Sequence, residues 1–256
     1  MISPFYIFLG TLPSLIWLLF YLRKDAHPEP KKMVFKIFFY GILSALLALF
    51  LELNFQKRLL SLNALSSLQI SVFIILGISF IEEISKYFAV KLGALKNLEL
   101  DEPIDLMIYM IIAALGFVFF ENILVLFREI PFQKTTDIFI IIFGRFLGAT
   151  FLHTLASGIL GYFLAMALFN FKKRQKIFIK GIIISTLLHG FYNLSIILIE
   201  GSFVIKQERV IILNQELFLA SLIFLISLLL GSAVFLFKSF KTLKKLKSVC
   251  KISLKK

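Results

Sequence analysis

Nine polar side chains sit inside stretches of sequence that are otherwise almost wholly apolar. They are Glu82, Glu83 and Lys86 in one stretch, Glu121 and Asn122 in the next, Arg145 and His153 in a third, and His189 and Asn193 in a fourth. Carboxylates and imidazoles of this kind move protons or ligate a metal, and an amide can donate to an oxyanion. Peptide hydrolysis needs those parts: an activated water, a stabilised oxyanion and a proton for the leaving amine. Two of the three histidines are in this set; the third, His27, falls in a connector.

Helical spacing groups these residues. Glu82 and Lys86 are i,i+4 and Glu83 and Lys86 are i,i+3, so Lys86 can pair with either carboxylate. Glu82 and Glu83 lie about 100° apart around a helix, so the simplest division leaves one glutamate with Lys86 and the other free. His189 and Asn193 share a face, as do His153 and Ser157. Ionisable groups cost at least about 2.5–3.5 kcal/mol at the centre of a membrane helix, so groups in such places are read as functional. Glu52 and Glu216, nearer span ends, are read as snorkelling outward, and Arg145 as balancing a carboxylate.

The elements that must hold these groups are membrane helices. Of 256 residues, 59% are hydrophobic and 17% charged, and Phe alone occurs 31 times. Mean hydropathy is +0.94. That composition excludes a soluble enzyme, a disordered chain and a nucleic-acid-binding domain. Seven stretches are long enough to cross a bilayer: Ser3–Leu22, Val34–Leu53, Leu68–Val90, Leu106–Phe127, Ile138–Phe169, Ile177–Ile199 and Gln215–Phe237. The expected fold is an all-α polytopic bundle, one domain over residues 1–237, followed by a basic tail over residues 238–256. Counted at about 1.5 Å per residue, Glu82, His153 and His189 reach mid-bilayer, with Glu121 somewhat nearer the outer face.

Orientation follows from the basic residues. One side collects 20 Lys and Arg and the other 6, with Lys86 and Arg145 inside spans. This predicts an N-terminus outside, a cytoplasmic C-terminus and a multi-pass protein of the cell membrane. The net charge of +13 then belongs to a membrane surface, and the tail, which alternates Lys with apolar residues, reads either as a solvated topology anchor or as a basic amphipathic helix on anionic lipid. The single Cys250 cannot make an internal disulfide.

As strings these residues read Glu82-Glu83-Ile-Ser-Lys86, Phe117-Val-Phe-Phe-Glu121-Asn122, His153 and His189-Gly-Phe-Tyr-Asn193. Their order resembles the PrsW family of intramembrane proteases. The loop Arg23-Lys24-Asp25-Ala-His-Pro28-Glu29-Pro30, the segment Asp101-Glu-Pro-Ile-Asp105 with Tyr109 and Gly116, and Arg145 ahead of His153, Gly158 and Gly161 fit the same pattern. That family is similar in turn to the CAAX prenyl endopeptidases and bacteriocin-processing proteins. By that wider resemblance Glu82, Glu121, His189 and Asn193 occupy site positions, although Glu121 stands where the wider group has His.

The resemblance implies an intramembrane endopeptidase acting on membrane-anchored, anti-sigma-factor-like proteins. The expected roles are Glu82 as general base, Glu83 with Lys86 as support, and His189 with Asn193 at the oxyanion. Asn122 and Arg145 complete the support. A zinc ion needs about three protein ligands and an open position, which His153, His189 and Glu121 can supply. A metal-free site with Glu82 activating water is the alternative. Two other functions fit the same residues: a catalytically inactive binding or immunity-type protein, and an ion-coupled transporter.

Overall fold

Crossing about 30 Å of hydrocarbon takes some 20 residues of helix, because no water satisfies backbone groups there. The computed structural model describes residues 4–24, 27–61, 66–95, 97, 99–206 and 209–246. Its helices are α1 (Pro4–Leu22), α2 (Lys31–Leu60), α3 (Ser67–Gly93), α4 (Pro103–Glu129), α5 (Thr135–Leu147), α6 (Ala149–Phe169), α7 (Arg174–Gly201) and α8 (Gln215–Leu243). Seven helical segments among the described residues are long and apolar enough to span, α5 and α6 together forming one of them. The chain is a polytopic helical membrane bundle.

α4 is the axis. Every residue from Pro103 to Val118 is buried, because α1, α2 and α6 surround it. A helix apolar on all sides suits such a position. Close approach depends on residues without side chains, since helices in lipid gain most from tight van der Waals packing. A Cβ on Gly116 would collide with the Phe38 backbone carbonyl, and one on Gly41 with that of Ala113. A Cβ on Gly161 of α6 would sit 2.6 Å from the Met107 Cα. The start of α4 is fixed by its own acid, since Asp105 Oδ2 accepts from the backbone N–H groups of Glu102 (2.7 Å) and Asp101 (3.0 Å). Tyr109 Oη, a turn further on, donates to Glu29 in the loop before α2.

Four features differ from the sequence expectation. First, α2 ends at Leu60, not Leu53. Glu52 is therefore two turns inside the helix and half-buried, where a short carboxylate cannot snorkel to the end. Second, the stretch expected as one helix over Ile138–Phe169 breaks at Gly148, whose φ of −101° and ψ of −90° are not helical. Third, Phe203–Lys206 and Arg209–Ile212 form an antiparallel hairpin, β1 and β2, with Phe203 opposite Ile212. α8 also runs past Phe237 to Leu243, so the first residues of the basic tail continue a membrane helix. Asp25 of the loop motif, and residues 247–256 with Cys250, lie outside the described residues.

Candidate active site

The site is assembled from α3, α4, α6 and α7, with one side chain from α5. Glu82 and Glu83 are neighbours on α3 and diverge by about 100°, yet both reach His189. Glu83 Oε1 is 3.0 Å from His189 Nδ1, and Glu82 Oε2 is 3.7 Å from Nε2. The imidazole of α7 thus lies between two adjacent glutamates of α3. Its ring meets that of His153 edge to face, with centroids 4.9 Å apart.

Lys86 does not choose between the glutamates as its spacing suggested. Its Nζ is 2.8 Å from Glu83 Oε1 and 3.4 Å from Glu82 Oε2. It also lies 2.7 Å from His153 Nδ1 and 4.3 Å from the Phe117 ring centre. The side chain is fully buried, so these groups replace its whole hydration shell. Ser157, one turn beyond His153, donates to Glu83 Oε2 at 2.8 Å. The sequence placed Ser157 on the His153 face but gave it no partner; its i,i+4 spacing was the only signal.

A second carboxylate closes the other side. His153 Nε2 is 3.1 Å from Glu121 Oε2, and the Arg145 guanidinium reaches the same oxygen at 3.3 Å. Arg145 Nε donates to Asn122 Oδ1, and Asn122 Nδ2 lies 3.4 Å from Thr150 Oγ1. Arg145 thus balances a carboxylate, as its isolation in the sequence suggested. Asn193 stands apart from this network. Its amide donates to Ser79 on α3 at 3.4 Å, and it faces the cavity described next.

A cavity of about 820 Å³ holds this arrangement. Glu82, Glu121, His153, His189, Asn193 and Arg145 line its polar part, and Ile, Leu and Val side chains form the rest. Arg128, Glu129 and Glu200 mark the mouth, at the ends of α4 and α7. Glu121 is the most open of the three site glutamates, with 27% of its side chain exposed against 7% for Glu82. Glu83 is fully buried. Glu52 is not among the cavity-lining residues.

The donor set fits a divalent metal. Glu82, His153 and His189, all buried, each offer one ligand atom, and the three atoms lie within 4.8 Å of one another. Two imidazoles and a carboxylate are a common catalytic zinc set. Glu83 on the far nitrogen of His189 is the carboxylate that orients metal-binding histidines. With its three glutamates ionised, the site has one negative charge more than Lys86 and Arg145 balance, which a cation would complement. Lys86 competes at one point, because a proton donated to His153 Nδ1 places the ring's own hydrogen on Nε2. Binding through His153 therefore requires Lys86 to withdraw onto Glu82 and Glu83, both already within its reach. The sequence expectation gave the third ligand to Glu121; the structure groups Glu82 with the two histidines and sets Glu121 against Arg145.

The chain is similar to known proteins over most of its length. The model of the PrsW family of intramembrane metalloproteases matches residues 29–230. The chain is 30% identical over 185 residues to Protease PrsW of Geobacillus kaustophilus, covering 72% of this chain and 76% of that protein. It is 28% identical over 187 residues to Protease PrsW of Bacillus subtilis, covering 72% and 79%. No solved structure matches. Every polar residue of the cavity lies inside the matched segment, and the chain belongs to the PrsW family of intramembrane proteases, as a multi-pass membrane enzyme.

Proposed function

We propose that the enzyme hydrolyses membrane-anchored proteins of the anti-sigma-factor class at the base of this cavity. The N-terminus and the cavity mouth face the outside of the plasma membrane, and the basic residues that follow α8 lie on the cytoplasmic side, next to anionic lipid. The bias of 20 basic residues to 6 supports that orientation. The substrate class rests on the family resemblance. The catalytic parts rest on one observation: three ligand atoms from three helices converge beside a partly open glutamate.

In this reading Glu82, His153 and His189 hold a divalent metal, zinc being the ion that best suits the set. A metal bound there would supply Lewis-acid polarisation of the scissile carbonyl. Glu121 is the general base. It takes the proton of the attacking water and returns it to the leaving amine, which a carboxylate within reach of both can do. Arg145 and His153 hold Glu121 through Oε2, leaving Oε1 for the proton. Asn193 donates its amide to the developing oxyanion. Glu83, Lys86, Ser157 and Asn122 orient these groups. Glu82 and Glu121 thus exchange the parts expected from the sequence. Support for the exchange is the burial of Glu82 between the two imidazoles and the openness of Glu121.

Co-expression with tagged single-span membrane proteins tests the reading. Wild type releases a shortened product, and Glu121→Gln and Glu82→Gln accumulate to the same level without doing so. Unchanged cleavage by either variant removes its glutamate from the reaction.

A further inference from the structure

α5 is built unlike the other helices of the bundle. Its 13 residues give about 20 Å of helix, too short to span. It starts at the cavity mouth and stops at mid-depth, where Gly148 breaks it from α6. Its packing partners are α1, α4 and α6, whereas the facing wall of the cavity is α3 and α7. The face toward the site carries Ile141, Gly144 and Arg145. A Cβ on Gly144 would meet nothing within 4 Å. The opposite side presents Phe139, Ile140, Phe143 and Leu147 to lipid.

The polar tie across the cavity is Arg145, through Glu121 and Asn122. Elsewhere α5 is tethered at its two ends. Thr135 Oγ1 bonds Tyr6 Oη on α1 at 3.1 Å, and Trp17 Nε1 of α1 donates to the Phe146 carbonyl at 3.0 Å. That second bond satisfies a carbonyl which the break at Gly148 would otherwise leave bare in lipid.

A substrate helix in the bilayer must reach the cavity sideways and expose one peptide bond. We infer that the substrate's membrane-spanning segment docks against α5 and is admitted when α5 swings outward about Gly148, with Arg145 as the latch of the closed position. α5 is the one cavity wall that ends in a non-helical glycine, and the one joined to the site through a single side chain. Apolar side chains on its outer side suit a transmembrane partner, and the ~820 Å³ inside takes an unwound stretch of it. Opening the latch takes the guanidinium from Glu121 Oε2, and closing it behind the substrate restores the pair that holds this carboxylate for the proton transfer. The inference rests on the membrane-anchored substrate proposed above.

The test ties the tip of α5 to α1. Tyr6→Cys and Thr135→Cys, in a Cys250→Ser background, are joined by a short reducible bis-thiosulfonate cross-linker. Two probes are compared: a tagged single-span protein that the reduced enzyme cleaves, and a short water-soluble fluorogenic peptide spanning the same cleavage site. Cross-linking should abolish cleavage of the membrane protein, leave the peptide hydrolysed, and be reversed by dithiothreitol. Continued cleavage of the membrane protein when cross-linked overturns the inference, and so does equal loss of both probes. Phe5→Cys with Phe139→Cys, whose parent rings are 6.2 Å apart, repeats the lock where the first pair fails to fold. A second readout needs no cleavage. Nitroxides on positions 6 and 135 should broaden each other's spectra in the wild-type latch and lose that broadening in Arg145→Gln. Unchanged broadening in that variant contradicts the latch.

Discussion

His189 Nδ1 stands 3.0 Å from Glu83 Oε1, an imidazole and a carboxylate that are both buried. A carboxylate at that position accepts the Nδ1 proton, so Nε2 keeps its lone pair and turns it toward Glu82. Glu83 therefore works through His189 and touches no substrate.

Glu83→Gln tests that relationship. Outer-shell partners of metal-binding histidines are worth about 10–100-fold in metal affinity or activity, and a loss of that size is expected. The glutamine keeps a hydrogen bond, so the protein should still fold. Added zinc should recover part of the activity, and a variant with wild-type affinity for zinc would show that Glu83 does not orient the imidazole.

Lys86→Met is expected to harm folding first. Removing one partner of a buried ion pair costs about 3–5 kcal/mol, because the remaining charge is left uncompensated. Here Glu83 and Glu82 both lose their cation. Thermal unfolding in detergent should fall well below wild type, and an equal melting temperature would contradict the network.

Gly116→Ala should be among the most damaging small substitutions in the bundle. Its new methyl meets the Phe38 backbone carbonyl, which no rotamer change can move aside. Overpacking of this kind costs about 1–3 kcal/mol. Gly231→Ala, whose Cβ meets nothing within 4 Å, is the control and should melt like wild type. Equal stability of the two variants would mean that α2 and α4 are not in backbone contact.

The seven spans were legible in the sequence because hydrocarbon thickness fixes their length. Matched depth also placed Glu82, Glu121, His153 and His189 together, since counting residues along a helix measures position across the bilayer. Rotation was not legible. Spacing could say that Lys86 reaches one glutamate, but only the approach of α6 shows that it reaches His153 as well. Nor could it show that His189 fits between Glu82 and Glu83, which depends on where α7 lies against α3. The break at Gly148 was hidden because glycine inside an apolar run reads equally as a packing contact. Glu52 was misplaced for a simpler reason: the sequence Asn54–Leu60 is polar enough to look like a connector, yet it continues as helix.

In the proposed mechanism Glu82, His153 and His189 hold a metal while Glu121 moves the proton. Elemental analysis of purified protein, with turnover on the same samples, separates these roles. About one zinc per chain is expected in wild type and in Glu121→Gln, with turnover lost in the latter by about 10²–10⁴-fold. Glu82→Gln, His153→Ala and His189→Ala should lose metal and turnover together. Full activity in metal-free protein, or retention of zinc by Glu82→Gln, would contradict that division of roles.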